Sequence, residues 1–305
     1  MENTQISLEE KIREEVNQII NNNDKTDLRE DLKKKTKLVL SGGGVKGIAH
    51  IGALQALYDY GYLDNINTIA GTSIGALIGT LLIIGYTPKD IYDFIMMFDM
   101  SKIGEYKLEN FLEKYGFDDG TKIMIIIKNM FKNKGFSEDI TFKELYDKIK
   151  KKLIMTVTCI NDKKAYYYSV DTFPNMKVIK AIRMTISVPI YFTPVEHEGH
   201  LYVDGGCIDN YPMELFSDNI NEVIGIYLSD VKDYTKNISN LEDTLINTLM
   251  SMLEGISANS LKGYEKYSIK INLSRISILD LSLNKQKKQE LYEIGYNSFL
   301  NIFIK

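Results

Sequence analysis

Residues 66–85 read INTIAGTSIGALIGTLLIIG, and this stretch decides the fold. Its first five residues are mostly apolar and β-branched, which predicts a short strand. Residues 74–85 are almost all apolar, and a run of 12 residues falls short of the roughly 20 that cross a bilayer, so it predicts a buried helix. Between the two, Gly71-Thr72-Ser73-Ile74-Gly75 predicts a sharp strand-to-helix turn.

A similar unit lies upstream. Residues 37–40 predict a strand, Ser41-Gly42-Gly43-Gly44 predicts a turn, and the apolar spacing that follows predicts a helix ending near Gly61. Two consecutive strand-turn-helix units favour parallel strands, because a parallel pair needs a crossover connection of this kind. We therefore expect an α/β fold with a mostly parallel central sheet flanked by helices.

The rest of the chain predicts further elements of both kinds. Between about residues 88 and 150 the pattern is helical, and no strand is expected there. Thr141-Phe142-Lys143-Glu144 has the form of a capping box, which predicts that a helix starts at this point. The elements expected after it are strands at 153–160 and 165–170, a helix at 177–187, and strands at 201–203 and 222–228.

Composition excludes several classes of protein. The formal net charge of −4 on 305 residues gives no electrostatic reason to expect a nucleic-acid partner. The two cysteines, Cys159 and Cys207, support neither a disulfide framework nor a structural zinc site. The first 37 residues carry charges throughout and lack the apolar stretch of a signal peptide. We therefore expect an intracellular, cytoplasmic protein whose contact with a membrane is peripheral.

Ser73 is the candidate nucleophile. A serine hydroxyl needs a base to take its proton, and the tetrahedral intermediate needs hydrogen-bond donors for its oxyanion. Gly71 and Gly75 permit a turn that exposes Ser73 at the carboxyl end of the sheet, where the dipole of the next helix favours negative charge. The pentapeptide alone is a weak signal, since ordinary residue frequencies produce one in about one chain in ten of this length.

The second glycine turn, Gly42-Gly43-Gly44-Val45-Lys46-Gly47, supplies candidate donors. Glycine lets backbone N–H groups approach an oxyanion closely, and Lys46 adds positive charge. The competing interpretation is a phosphate loop, because the glycine spacing also matches that of dinucleotide-binding turns. Such a site needs an acidic residue about 20 positions on, at the end of the next strand, whereas Asp64 precedes that strand.

Asp204-Gly205-Gly206 is the third feature, and it follows a short predicted strand. An Asp-Gly-Gly sequence by itself usually forms a turn. What selects Asp204 is the order of the glycine loop, the serine turn and the Asp-Gly-Gly, each expected at the end of a strand.

Together these residues resemble the motifs of the patatin-like phospholipases, which combine a glycine-rich oxyanion loop, G-x-S-x-G, and D-G-G or D-G-A. Residues 47–54, GIAHIGAL, are similar to the family's first helix, and residues 189–194, PIYFTP, are similar to its P-x-x-F-x-P segment. The spacing from Asp204 to Asn210 and Pro212 also matches. The resemblance covers about residues 37–230.

The resemblance implies a three-layer α/β/α fold and a lipid acyl hydrolase of the phospholipase A or lipase type, acting on lipid at a membrane or lipid interface. It implies Ser73 as nucleophile, Asp204 as proton acceptor without a histidine, and an oxyanion hole formed at Gly42, Gly43 and Gly44. No metal and no organic cofactor are expected. The residues expected to support these motifs are Lys46, Gly47, Gly71, Gly75, Gly205 and Gly206.

The chain is expected to have three parts. Residues 37–230 form the catalytic domain. Residues 1–36 form an N-terminal helical extension, because Ser7-Leu8-Glu9-Glu10 resembles a capping box and apolar residues then recur at helical spacing. Residues 231–305 form a C-terminal helical and mixed extension that packs on the domain, with helices expected at 241–253 and 289–304 and a strand at 267–273.

Alternatives remain open on the sequence alone. Of the three histidines, His50, His197 and His200, none follows Asp204, but a triad with an earlier acid and a late histidine is still compatible with the chain. His50 is expected to make a packing or polar contact on a helix. His197 and His200 are expected in an exposed hairpin, with a metal pair as the alternative. The alternative functions are a non-catalytic lipid-binding protein that retains the motifs and a nucleotide-binding protein that uses the Gly42 to Gly47 loop.

Overall fold

A computed structural model describes residues 25–104, 107–230, 238–273 and 280–304. The helix expected from residue 7 onward lies outside these ranges. The strands are β1 Lys37–Leu40, β2 Thr68–Thr72, β3 Gly116–Asp118, β4 Lys152–Cys159, β5 Lys164–Tyr168, β6 Ile190–Phe192, β7 Val195–His197, β8 His200–Asp204, β9 Val223–Asp230 and β10 Ser268–Leu273.

A helical stretch at residues 25–32 precedes β1. The later helices are α1 Gly47–Asp59, α2 Ile74–Ile83, α3 Pro88–Met97, α4 Leu108–Lys114, α5 Thr121–Asn133, α6 Phe142–Ile149, α7 Val178–Thr185, α8 Leu241–Leu261 and α9 Lys285–Phe303. The capping box expected at Thr141 is present, with both reciprocal hydrogen bonds to Glu144, and it starts α6. None of these helices is both long and apolar enough to cross a membrane.

The main sheet has the strand order β10-β9-β1-β2-β4-β8-β7, with β5 also paired to β4. The strands from β10 to β4 in this order are mutually parallel. The strands β5, β7 and β8 add antiparallel pairs around β4. The expectation of a mostly parallel sheet flanked by helices is therefore confirmed.

Alternate residues of the central strands feed the cores on the two faces of the sheet. Leu38 and Leu40 face the larger core, which includes residues of α1, α2 and α9. Val39 faces the second core, in which Tyr211 and Leu261 are also buried. This alternation is what a strand covered on both faces requires.

The C-terminal residues are part of the same sheet and core. Strand β10 pairs in parallel with β9, and α9 packs closely on α1. The two helices approach so closely because glycines face backbone carbonyls at the crossing: a side chain on Gly52 would collide with Tyr292 O, and one on Gly295 with Ala49 O. The boundary expected at residue 230 therefore falls within a continuous sheet.

The expectation of no strand between residues 88 and 150 was wrong. Strand β3 lies in this region and pairs in parallel with β6 as a separate small sheet. Both strands have three residues. A segment this short shows no readable alternation of apolar and polar residues, so sequence periodicity could not have found it.

Candidate active site

The register of the sheet brings Ser73 and Asp204 to the same level. Strand β4 lies between β2 and β8, and its Thr156 pairs with Thr72. The next residue of β4, Val157, pairs with Asp204. Ser73 follows Thr72 directly, so it reaches the level of Asp204 across β4. The Ser73 hydroxyl donates a hydrogen bond of 2.5 Å to Asp204 Oδ2.

Ser73 is held in a conformation that a non-glycine residue rarely adopts, with φ 54° and ψ −125°. Its N–H donates to Thr185 Oγ1 at 2.9 Å, and that hydroxyl donates in turn to Thr156 O at 2.6 Å. Gly75 allows the next turn to pass close to β1, because a Cβ there would lie 2.5 Å from Leu40 O. The packing of the turn therefore fixes the strained serine in place.

Asp204 is a buried carboxylate with two hydrogen-bond partners. Its Oδ1 accepts the Gly206 N–H at 2.8 Å, while Oδ2 accepts the Ser73 hydroxyl. Its own N–H donates to Ser187 O at 2.9 Å. Burial raises the pKa of Asp204 to about 7, against the two hydrogen bonds, which lower it. A carboxylate with a pKa near 7 can both accept and return a proton at neutral pH.

The glycine loop presents its N–H groups unequally. The Gly42 N–H donates to Asn210 O at 3.0 Å, so it is already engaged. The N–H groups of Gly43 and Gly44 have no acceptor among the residues that the structure describes. Gly44 also lines the same cavity as Ser73. Of the three glycines expected to form an oxyanion hole, Gly43 and Gly44 are therefore available as donors, and Gly42 connects the loop to Asn210.

The other predicted residues lie around this pair. Gly71 lies against the backbone of Gly75 and Ala76, where a side chain would not fit. Gly205 lies against the Thr156 carbonyl, where a side chain would not fit. The remaining ones are Gly47, which contacts Ile74, and Lys46, whose side chain is buried at the start of α1.

His50 holds the end of β1 and makes no hydrogen bond to Ser73 or Asp204. Its Nε2 donates to Ser41 O at 2.8 Å, and Ser41 directly precedes the glycine loop. Burial lowers the pKa of His50 to about 4, so the ring is neutral at physiological pH. The expected polar contact on a helix is confirmed.

His197 and His200 lie in the β7–β8 hairpin, as expected. His197 Nδ1 is 3.0 Å from Lys180 Nζ, and His200 Nδ1 is 3.1 Å from Glu198 O. Neither forms a hydrogen bond with Ser73 or Asp204. Within the described ranges, no group of three or more histidine, cysteine, aspartate or glutamate side chains could hold a metal ion.

An apolar cavity of about 180 Å³ opens at Ser73. It extends between α1, α2, α3 and α5, and its walls include Ile51, Leu77, Phe94 and Ile126. Such a lining favours an alkyl chain over a polar group, because a polar group buried without partners loses its hydrogen bonds to water. A dinucleotide site would need an acidic residue at the end of the second strand, whereas β2 ends at Thr72 and Asp64 precedes it.

Thr185 is a site residue that sequence reasoning missed. It lies at the end of α7, and its hydroxyl accepts the Ser73 N–H. Nothing in the local sequence distinguishes it from any other threonine at a helix end. Its role depends on the packing of α7 across β4, which the sequence pattern does not reveal.

The fold and the site define an α/β protein in which a serine and a carboxylate meet at the mouth of an apolar cavity. The chain matches the model of the patatin-like phospholipase family over residues 38–217, more than half of its length. It therefore belongs to the patatin-like phospholipase family, as its motifs suggested.

Individual proteins are similar to this chain in sequence or in fold. The chain is 34% identical over 283 residues to the uncharacterized protein R571 of Acanthamoeba polyphaga mimivirus, covering 88% of this chain and 93% of that protein. It is 28% identical over 270 residues to the probable lipid hydrolase 463L of Invertebrate iridescent virus 6, covering 79% of this chain and 91% of that protein. The crystal structure of VipD from Legionella pneumophila has a similar fold, with a TM-score of 0.58 and 19% identity, covering 88% of this chain and 67% of that one.

Proposed function

We propose that this protein is a lipid acyl hydrolase in which Ser73 is the nucleophile and Asp204 is the only general base. The observation that supports this most strongly is the hydrogen bond of 2.5 Å between the Ser73 hydroxyl and Asp204 Oδ2. Each of the three histidines is engaged elsewhere, so the geometry favours a dyad over a triad.

In the acylation step, Ser73 Oγ attacks the ester carbonyl carbon while its proton passes to Asp204 Oδ2. A bond forms between Oγ and the carbonyl carbon, and the carbonyl electron pair moves to its oxygen. When the intermediate collapses, the bond to the leaving alcohol breaks and Asp204 returns the proton to that alcohol. The products of this step are the free alcohol and an acyl group on Ser73.

In the deacylation step, Asp204 takes a proton from a water molecule as the water oxygen attacks the acyl carbon. The bond to Ser73 Oγ then breaks, and Asp204 gives its proton back to that oxygen. The pair returns to its starting state and a fatty acid is released. Both steps need an ionised Asp204 at the start, which its pKa of about 7 allows at neutral pH.

The oxyanion is assigned to the N–H groups of Gly43 and Gly44. Gly43 directly precedes the 3-10 turn Gly44–Lys46, and Gly44 begins it. Neither N–H group has an acceptor in the described part of the chain. Donors of this kind contribute on the order of 10² to 10³ in rate each. Gly42 serves the same loop differently, because its N–H fixes the loop to Asn210.

The proposed substrate is an ester with a long alkyl chain, since the cavity at Ser73 is lined by apolar side chains. The membership of the phospholipase family and the probable lipid hydrolase among its relatives support a lipid ester. The polar part of the substrate would remain outside the cavity at a lipid surface.

The test is hydrolysis of p-nitrophenyl esters with short and long acyl chains by the purified chain. Ser73→Ala and Asp204→Asn are expected to lose activity on both, while Ser251→Ala, at an exposed serine of α8, keeps it. Turnover retained by either site variant would disprove the dyad. Lipid binding by the wild type without any hydrolysis would favour the non-catalytic alternative.

A further inference from the structure

Helix α8 is rich in apolar residues, but its first 16 residues bury none of them fully. Half of its first 16 residues, 241–256, are large and apolar, and none of these apolar side chains is buried. Leu241 is 74% exposed, Leu245 is 40% exposed and Met252 is 60% exposed. Helix α9, of similar length, instead buries Leu291 and Phe299 in the core. A row of exposed large apolar side chains on one helix is unusual in a folded chain, and it marks a contact surface.

The C-terminal end of α8 is anchored beside the active site. Ser257 Oγ accepts from Asn210 Nδ2 at 2.8 Å and is 2.9 Å from the Tyr227 hydroxyl. Asn210 is the residue whose carbonyl holds the Gly42 N–H. Four residues further on, Leu261 is buried against the sheet in the same cluster as Val39. Ser257 and Leu261 therefore fix the C-terminal turns of α8 to the sheet.

Because α8 connects the end of β9 to the start of the parallel strand β10, it runs back along the sheet from the edge where Ser73 lies. Ile226 pairs with Leu40, so Tyr227 is level with the end of β1. From Ser257 back to Leu241 the helix covers about 24 Å, at 1.5 Å per residue. Strand β9 ends at Asp230, only about 10 Å beyond Tyr227. More than half of α8 therefore extends past the last described residue of β9.

The exposed apolar residues share one side of this projecting segment. Leu241, Leu245 and Met252 are spaced by four and seven residues, which places them along one face of a helix. The exposed Thr248 lies between Leu245 and Met252 on this face, and the flanking exposed positions Thr244 and Ser251 are also small and polar. The projecting face therefore has an apolar ridge that could enter the acyl region of a lipid layer to a shallow depth.

The charge of α8 selects among lipid surfaces. No lysine or arginine occurs between Ser239 and Leu261, whereas Glu242, Asp243 and Glu254 are acidic. Anionic lipids recruit proteins through clusters of basic side chains, and an acidic helix is repelled by them. A surface of zwitterionic headgroups, such as phosphatidylcholine, imposes no such penalty.

We propose that residues 241–253 of α8 insert into a zwitterionic lipid surface and so hold the Ser73 edge of the sheet against it. This inference rests on the proposed function, because it gives the acyl hydrolase its route to lipid. The lipid layer would cover the apolar ridge formed by Leu241, Leu245 and Met252, while Ser257 and Leu261 keep the helix base attached to the catalytic loop.

The test uses the full chain and a ridge variant, Leu241→Gln, Leu245→Gln and Met252→Gln together. Glutamine keeps helix propensity, so circular dichroism should be unchanged. Flotation with phosphatidylcholine vesicles should fall by roughly tenfold or more in the ridge variant. The reason is that the three apolar side chains proposed to enter the lipid are replaced by polar ones. Hydrolysis of phosphatidylcholine in those vesicles should fall in parallel. Hydrolysis of a monomeric short-chain ester in solution should stay within about twofold, since no α8 residue lines the cavity at Ser73.

The matched control is Thr244→Gln with Ser251→Gln, at exposed polar positions beside the ridge, and it should behave as the wild type in every assay. Adding phosphatidylserine to the vesicles should not strengthen binding. Equal flotation by the ridge variant and the wild type, or no flotation by the wild type, would overturn the inference. The inference would also fail if the wild type sedimented as a dimer and the ridge variant as a monomer. A second copy of the chain, and not lipid, would then cover the ridge. If the wild type did not hydrolyse the short-chain ester at all, the proposed function would be refuted instead.

Discussion

Replacing Asp204 by asparagine should abolish activity and at the same time stabilise the fold at high pH. Asparagine has nearly the same shape, its Oδ1 can accept the Gly206 N–H, and its amide can donate to Ser73 Oγ. It cannot take the serine proton, and it carries no charge in the buried site. Activity and stability therefore move in opposite directions at one residue.

The magnitude follows from the pKa of Asp204, which burial raises from 3.8 to about 7. Between these two values the folded protein holds a proton that the unfolded chain has lost, so stability falls as the pH rises. Above about pH 7 the carboxylate is charged in both states, and the penalty stays constant at roughly 4 kcal/mol, taking about 1.4 kcal/mol per pKa unit. From pH 5 to pH 8 the loss is about 2.5 kcal/mol.

The assay is urea unfolding of the wild type and Asp204→Asn at pH 5 and pH 8. Other titrating groups are common to both proteins and cancel in the difference. The asparagine variant should gain about 2.5 kcal/mol relative to the wild type between these two pH values. Ser73→Ala is a control that should shift the pH dependence in the other direction. It removes a hydrogen bond that lowers the pKa of Asp204. The stability of this variant should therefore fall with rising pH at least as steeply as that of the wild type. Parallel pH profiles for the wild type and the asparagine variant would refute the reasoning.

Three further predictions concern catalysis and the cavity. The value of kcat/KM for an uncharged ester should rise as the pH increases through about 7, because Asp204 must be ionised to accept the proton; a flat profile between pH 5 and 8 would count against it. Thr185→Val should lower kcat by about tenfold or more and destabilise the fold by about 1–3 kcal/mol, since the buried Ser73 N–H loses its acceptor, while Thr185→Ser should restore both in the same kinetic and unfolding assays. Ile126→Trp should fill the cavity and slow hydrolysis of long-chain esters far more than short-chain ones; equal losses on both would place the acyl chain elsewhere.

Local sequence was sufficient wherever the chemistry depends on a single turn. The serine turn and the two flanking glycines are contiguous, and a strand before them and an apolar helix after them specify the geometry of Ser73. Asp204 was identified because its Asp-Gly-Gly follows a strand, although only the pairing of β8 with β4 shows why it meets Ser73. The parallel sheet followed from the repeated strand-turn-helix units.

The contacts that depend on distant segments could not be read from the sequence. The carbonyl that engages Gly42 comes from Asn210, and the hydroxyl that holds the Ser73 N–H comes from Thr185 on another helix. The helix expected at 241–253 is present and continues to Leu261, but the sequence pattern does not show which of its apolar residues stay exposed. That exposure depends on how the helix lies on the rest of the fold, which is a property of the tertiary structure.

The central claim is that Ser73 is the acylated nucleophile, and covalent labelling with a fluorophosphonate probe tests it most directly. We expect mass spectrometry to locate the adduct on Ser73 in the wild type, with labelling faster above pH 7 than below it, because Asp204 takes up the proton. Ser73→Ala should not be labelled, and Asp204→Asn should be labelled far more slowly than the wild type. An adduct on another residue, or undiminished labelling of Asp204→Asn, would contradict the account.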